Sequence, residues 1–75
     1  MWIIYGQPTC SFCKAARTFL LNKGEEVKYI DMVTPDNIAD FQSLFPGART
    51  VPQIITPEGR KIGGYDNLLA LFEAS

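Results

Sequence analysis

The chain of 75 residues has no histidine and only two cysteines. A structural zinc site normally takes four Cys, His or carboxylate ligands, so a thiolate and imidazole site within one chain is not available. A secreted mini-protein would be expected to carry four or more cysteines stapling distant loops. An excess of charge of either sign is also absent: seven basic and eight acidic residues leave a net charge of −1. No basic footprint for nucleic acid is present. Long apolar runs are missing as well. The longest, Met1 to Tyr5 and Leu68 to Phe72, are five residues each, against about 20 for a membrane-spanning helix. Met1-Trp2-Ile3-Ile4-Tyr5 has neither the basic flank nor the small-residue cleavage site of a secretory signal. These absences point to a cytoplasmic protein with neither nucleic acid nor membrane as partner.

What is present reads as globular. Hydrophobic residues make up 47% and charged residues 20%, ordinary usage for a packed domain. One Trp, three Tyr and five Phe can each bury about 150–250 Å², which helps a short chain close a core. Residues 1–75 are expected to form one domain, without repeats, linkers or low-complexity segments.

Periodicity predicts the elements. Trp2 to Tyr5 is a β-rich run broken by Gly6-Gln7-Pro8-Thr9. A helix follows from Ser11 to Lys23, with Phe12, Ala16, Phe19 and Leu20 on one stripe and Gly24 as its stop. Val27 to Met32 reads as a strand with apolar groups on both faces. Thr34-Pro35 reads as an N-cap and first helical residue, followed by Ile38, Phe41 and Phe45 and a stop at Pro46-Gly47. Two short strands, Gln53 to Thr56 and Arg60 to Ile62, flank the turn Pro57-Glu58-Gly59. After Gly63-Gly64 a last helix is expected from Asp66 to Ala74. The fold class is therefore α/β, in the order β-α-β-α-β-β-α. A right-handed parallel unit and a hairpin make a four-stranded mixed sheet flanked by three helices.

Cys10 and Cys13 are the chemistry-bearing pair. A bridge over two intervening residues adds little loop-closure entropy, so it is poorly placed as a staple. It is well placed for exchange. Cys10 falls at or beside the N-cap of the first helix, where free N–H groups and the positive end of the helix dipole favour a thiolate. Its pKa is expected to fall from about 8.5 into the range of about 3.5–7.5. Lys14 can add positive charge. Cys13, one turn deeper, is expected to be the less exposed, resolving thiol. A drop from about 8.5 to about 5.5 raises the thiolate fraction at pH 7 by about 30-fold. Over the same interval intrinsic nucleophilicity falls by about 20-fold. The larger benefit is that Cys10 becomes a good leaving group.

Four motifs in order then resemble the glutaredoxin family along nearly the whole chain: Cys10-Ser11-Phe12-Cys13, Thr50-Val51-Pro52, Gly63-Gly64 and Tyr65-Asp66. The resemblance implies a thioredoxin-like fold and a glutathione-dependent thiol-disulfide oxidoreductase. It would reduce protein disulfides and protein–glutathione mixed disulfides, with Cys10 as nucleophile and Cys13 as resolving thiol. It implies that Val51-Pro52 is a cis peptide, with the Thr50-Val51 backbone beside Cys10 and pairing with the cysteinyl part of glutathione. Asp66 and the N–H groups near Tyr65 would hold the γ-glutamyl end, Gly63-Gly64 would admit the ligand through positive φ, and Phe12 would wall it. Arg49 would meet the glycyl carboxylate. Plainer readings stand beside these: Asp66 as a helix N-cap, Gly63-Gly64 as a tight turn, Phe12 as core, Arg49 as a solvated side chain.

The family commonly has Pro after the first cysteine, Tyr before the second and a basic residue three positions before the first. Here these are Ser11, Phe12 and Gln7. The co-substrate implied is glutathione, with no metal required, and the chain is expected to be a monomer. The alternatives are a redoxin fed by thioredoxin reductase with ribonucleotide reductase as client, which the short length and Gln7 allow and Gly63-Gly64-Tyr65-Asp66 argues against, and a dimeric [2Fe–2S] carrier. Ser11 allows the latter, using two chains and two glutathiones as ligands.

Overall fold

A computed structural model of the chain describes residues 1–74. It has β1 (Trp2–Gly6), α1 (Ser11–Asn22), β2 (Val27–Asp31), α2 (Pro35–Leu44), β3 (Gln53–Ile55), β4 (Lys61–Gly63) and α3 (Tyr65–Glu73). The order is β-α-β-α-β-β-α, as the sequence predicts. The strands form one mixed sheet in the order β2-β1-β3-β4. β1 runs parallel to β2 and antiparallel to β3, and β3 runs antiparallel to β4. None of the described helices is long and apolar enough to cross a membrane.

Alternation along the central strands builds a core on each face of the sheet. Ile4 and Ile54 join Trp2, Ala16, Leu20 and Leu68 on the side of α1 and α3. Their neighbours Tyr5 and Ile55 join Met32, Phe41 and Phe45 on the side of α2. Thr34 caps α2 by accepting the Asn37 N–H at 3.2 Å, and Pro35 opens that helix. Gly24 and Gly47, with φ of +79° and +83°, turn the chain after α1 and α2. The Lys61 ammonium donates to the carbonyl of Leu44 at the C-terminus of α2, where a cation is favourable.

Several expectations are corrected. β2 ends at Asp31, one residue short of Met32, while its apolar residues serve both faces of the sheet as expected. Phe12 leaves the buried stripe of α1 and is 61% exposed. Cys13 takes that place beside Ala16 and Leu20, because the spacing 13, 16, 20 keeps one face of a 3.6-residue helix and position 12 lies about 100° away. The hairpin shifts by one residue: β3 ends at Ile55, and Thr56 closes the turn by donating to the Arg60 carbonyl at 2.8 Å. α3 starts one residue early, at Tyr65, with Gly64 as its N-cap and no side-chain cap bond. Asp66 is therefore in the first turn and is not the cap.

Gly6, at the end of β1, has no room for a side chain. A Cβ there would meet the Cys13 Cβ at 2.8 Å and press on the Tyr29 hydroxyl. Gly6→Ala is expected to cost about 1–3 kcal/mol, lowering the melting temperature by about 4–8 °C per kcal/mol in a chain of this size. A melting point within 1 °C of wild type, on the order of experimental error, would contradict that packing.

Burial, and secondarily Asp40, raises the Tyr5 pKa above its ordinary value of 10.0. A raised folded-state pKa gives stability that is complete below the unfolded value and is lost as pH rises through the folded one. Melting temperature should therefore fall above about pH 10, and Tyr5→Phe should blunt part of that fall. Superimposable alkaline melting curves for the two proteins would show that Tyr5 does not contribute.

Candidate active site

The chain reaches Cys10 through a tight turn. The Cys10 N–H donates to the Gln7 carbonyl at 3.1 Å, with Pro8 at the second position of the turn, where its fixed φ fits. Cys10 is the N-cap of α1. Its backbone is extended, and its Sγ accepts the Cys13 N–H at 3.1 Å. A sulfur thus fills the role usually taken by Ser, Thr or Asp oxygen.

Cys10 and Cys13 are joined as a disulfide, with Cα atoms 5.3 Å apart, inside the usual range of about 4.4–6.8 Å. Their exposures differ. Cys13 is 0% exposed, whereas Cys10 is partly accessible. Cys10 Sγ also lies 3.8 Å from the Val51 carbonyl oxygen, a distance at which the thiol of a reduced pair can donate. Val51-Pro52 is a cis peptide.

Beside this pair runs an open groove of about 230 Å³ that brings together Phe12, Thr50, Val51, Pro52, Gly64, Tyr65 and Asp66. Phe12 and Tyr65 face each other across one end, ring centroids 6.0 Å apart. The exposure of Phe12 removes its core reading. Asp66 is exposed at the start of α3, where the helix dipole favours a carboxylate. Only the first of the two glycines has positive φ: Gly63 is at +95°, and Gly64 is extended at −94°. A Cβ on Gly64 would meet the Pro52 carbonyl at an ordinary 3.7 Å. The positive φ expected of the pair therefore belongs to Gly63 alone.

Arg49 does not line that groove. It lines a second one of about 340 Å³, with Gln7, Gln42 and an apolar floor that includes Met32, Ile38 and Phe41. Thr50 and Val51 belong to both grooves. Lys14 faces a hollow on another side, with Pro8, Arg17, Tyr29 and Asp31. Asp31 offsets part of the positive charge expected there.

Asn67 is a groove residue that sequence reasoning missed. Its amide donates to the Ile62 carbonyl at 2.7 Å and fills the space beneath Gly63. In sequence it is one more polar residue on an exposed helix face, and nothing marks it out. Among the described residues no three or more His, Cys, Asp or Glu side chains cluster so as to hold a metal ion.

Comparison with known proteins agrees with this architecture. Residues 3–60 match the model of the glutaredoxin family. Glutaredoxin 3 of Escherichia coli K12 is 36% identical over 70 residues, covering 91% of this chain and 81% of that protein. The solution structure of a glutaredoxin from Brucella melitensis superposes with a TM-score of 0.76 at 37% identity, covering 99% of this chain and 79% of the other. Wheat glutaredoxin has a TM-score of 0.84 at 26% identity, covering 99% and 70%. A family match over most of the chain, carried on a thioredoxin-like fold with a Cys-x-x-Cys pair at the start of its first helix, means that the chain belongs to the glutaredoxin family.

Proposed function

We propose that this thiol-disulfide oxidoreductase draws its electrons from glutathione and uses Cys10 as nucleophile and Cys13 as resolving thiol. The observation that carries the reading is the unequal placement of the pair: the accessible sulfur caps the helix, and its partner is fully buried one turn below. Only the accessible sulfur can meet a client, and only the buried one is held ready to displace it.

With a glutathionylated client, the Cys10 thiolate attacks the glutathione sulfur. The client thiolate leaves, and a Cys10–glutathione disulfide remains. A second glutathione thiolate attacks the glutathione sulfur of that adduct, releasing oxidised glutathione and the Cys10 thiolate. With a client disulfide, Cys10 forms a mixed disulfide and Cys13 attacks its Cys10 sulfur. The client leaves as a dithiol, two electrons richer, and two glutathiones reduce Cys10–Cys13. No metal takes part.

In this reading the tripeptide lies along the first groove, extended beside Thr50-Val51, with its γ-glutamyl end at Tyr65-Asp66 and Phe12 as wall. Its glycyl carboxylate reaches toward Gln7 and Arg49 in the second groove. The shared Thr50-Val51 segment supports one continuous path past the sulfur. The protein acts as a monomer in the cytoplasm, where glutathione keeps thiols reduced.

The test is turnover of a glutathione mixed disulfide with glutathione, glutathione reductase and NADPH. Cys10→Ser should abolish turnover, and Cys13→Ser should keep a substantial part of it. A wild type idle with glutathione but reduced by thioredoxin reductase would instead make it a redoxin of the second kind. Asp66→Asn should raise the KM for glutathione about two- to fivefold, the range of an exposed ion pair, with kcat little changed. An unaltered KM would remove Asp66 from the binding site.

A further inference from the structure

Tyr29 belongs to β2 and is separated from Cys10 by the whole of α1 and the following turn, yet the sheet brings it beneath the active-site loop. Its hydroxyl donates to the Gln7 carbonyl at 3.3 Å. That oxygen also accepts the Cys10 N–H at 3.1 Å. One carbonyl therefore holds both the turn that delivers the nucleophile and a side chain from the neighbouring strand. Gly6 closes the same junction. A Cβ there would strike the Tyr29 hydroxyl and ring on one side and the Cys13 Cβ on the other. The phenol thus packs against the backbone that carries Cys10 and against Gly6, which in turn lies on Cys13.

We infer that Tyr29 is a positioning residue for the dithiol, its hydroxyl fixing the Gln7–Cys10 turn so that Cys10 keeps its place as cap of α1. The inference rests on Cys10 being the nucleophile. The phenol is itself held on two sides. The Arg17 guanidinium of α1 lies over its ring, 4.9 Å from the centroid, and Asp31 lies two residues along β2. Lys14 of α1 and Pro8 of the loop complete the hollow. The phenol stays protonated through the neutral range, since burial and Asp31 raise its pKa further than Arg17 lowers it. It therefore remains a donor throughout the working range of the thiol.

Loss of the hydroxyl acts on Cys10 in two ways that share a sign. The Gln7 carbonyl loses a donor, so its negative end is less compensated beside a developing thiolate. The turn also loosens, which weakens the Cys13 N–H to Sγ contact. Both disfavour the thiolate. At 3.3 Å the bond is long for a hydroxyl donor, which sets the effect at the low end for a neutral hydrogen bond.

The experiment is the pH dependence of Cys10 alkylation by iodoacetamide in reduced Cys13→Ser protein, with and without Tyr29→Phe, which keeps the ring. The midpoint should rise by a few tenths of a pH unit, equivalent to about two- to threefold slower alkylation below it. Melting temperature is measured on the same samples, because a merely structural role would lower it and leave the midpoint unmoved. An unchanged midpoint in a folded variant overturns the inference. If the variant does not fold, wild type with tyrosine labelled at ¹³Cζ is titrated instead. The Tyr29 resonance should then inflect at the thiol midpoint, and a flat trace overturns the inference. Failure of Cys10 itself would look different: Cys10→Ser would leave glutathione-coupled turnover intact, whatever happened at position 29.

Discussion

The first turn of every α-helix presents N–H groups with no partner in the helix, and here α1 satisfies one of them with a sulfur. The site depends on that contact. Cys10 Sγ accepts the Cys13 N–H at 3.1 Å, so the atom that caps the helix is also one of the two sulfurs of the redox pair. An oxygen cap would satisfy the same N–H but bring no exchange chemistry. In the proposed function the reduced Cys10 acts as a thiolate, and a hydrogen bond to a charged acceptor is about twice as strong as one between neutral groups. The capping interaction therefore strengthens as the leaving group forms.

Such a contact needs a rigid floor, and the sheet supplies it. β1 delivers the loop, β2 delivers Tyr29, and the segment before β3 delivers the Val51 carbonyl on the far side of the sulfur. Gly6 is the narrow point where these meet, since no side chain fits between Tyr29 and Cys13. Buried Cys13 belongs to the same helix face as Ala16 and Leu20. The Cys13 sulfur is thus held by hydrophobic packing, and the capping Cys10 sulfur is held by hydrogen bonds. Unequal means of support leave one sulfur open to clients and keep the other enclosed.

How much of this was legible in the sequence depends on the distance over which each signal acts. Element order, the cap at Cys10, Thr34-Pro35 ahead of α2 and the stops at Gly24 and Gly47 depend on neighbours a few residues apart, and the sequence shows them. The approach of Val51 to Cys10, and of residues 50–52 and 64–66 to Phe12, comes through resemblance to a family, because no local pattern encodes it. Phe12 was misplaced by one position on the helical wheel, since an aromatic among apolar residues reads as core until packing shows that Cys13 fills the slot. Gly64 as cap was invisible for another reason: glycine offers no side-chain acceptor, and Asp66 two residues later carries the stronger capping signal. Asn67 and Tyr29 act across the fold on backbone carbonyls, and a polar helix residue or a strand tyrosine has many commoner uses.

The three helices also show how the chain distributes negative charge. α2 and α3 each have an aspartate in the first turn, Asp36 and Asp66, and the first turn of α1 has none. A carboxylate at the start of α1 would compete with Cys10 for the helix dipole and repel a thiolate. Its absence leaves that end to the sulfur alone. Asp66 does the opposite at the other side of the groove, where an anion suits a ligand carrying an ammonium group. The two grooves together therefore run from an acidic end at α3, past the shared Thr50-Val51 segment beside the Cys10 sulfur, to Arg49. Under the proposed function, that polarity matches a tripeptide with an ammonium group at one end and a carboxylate at the other.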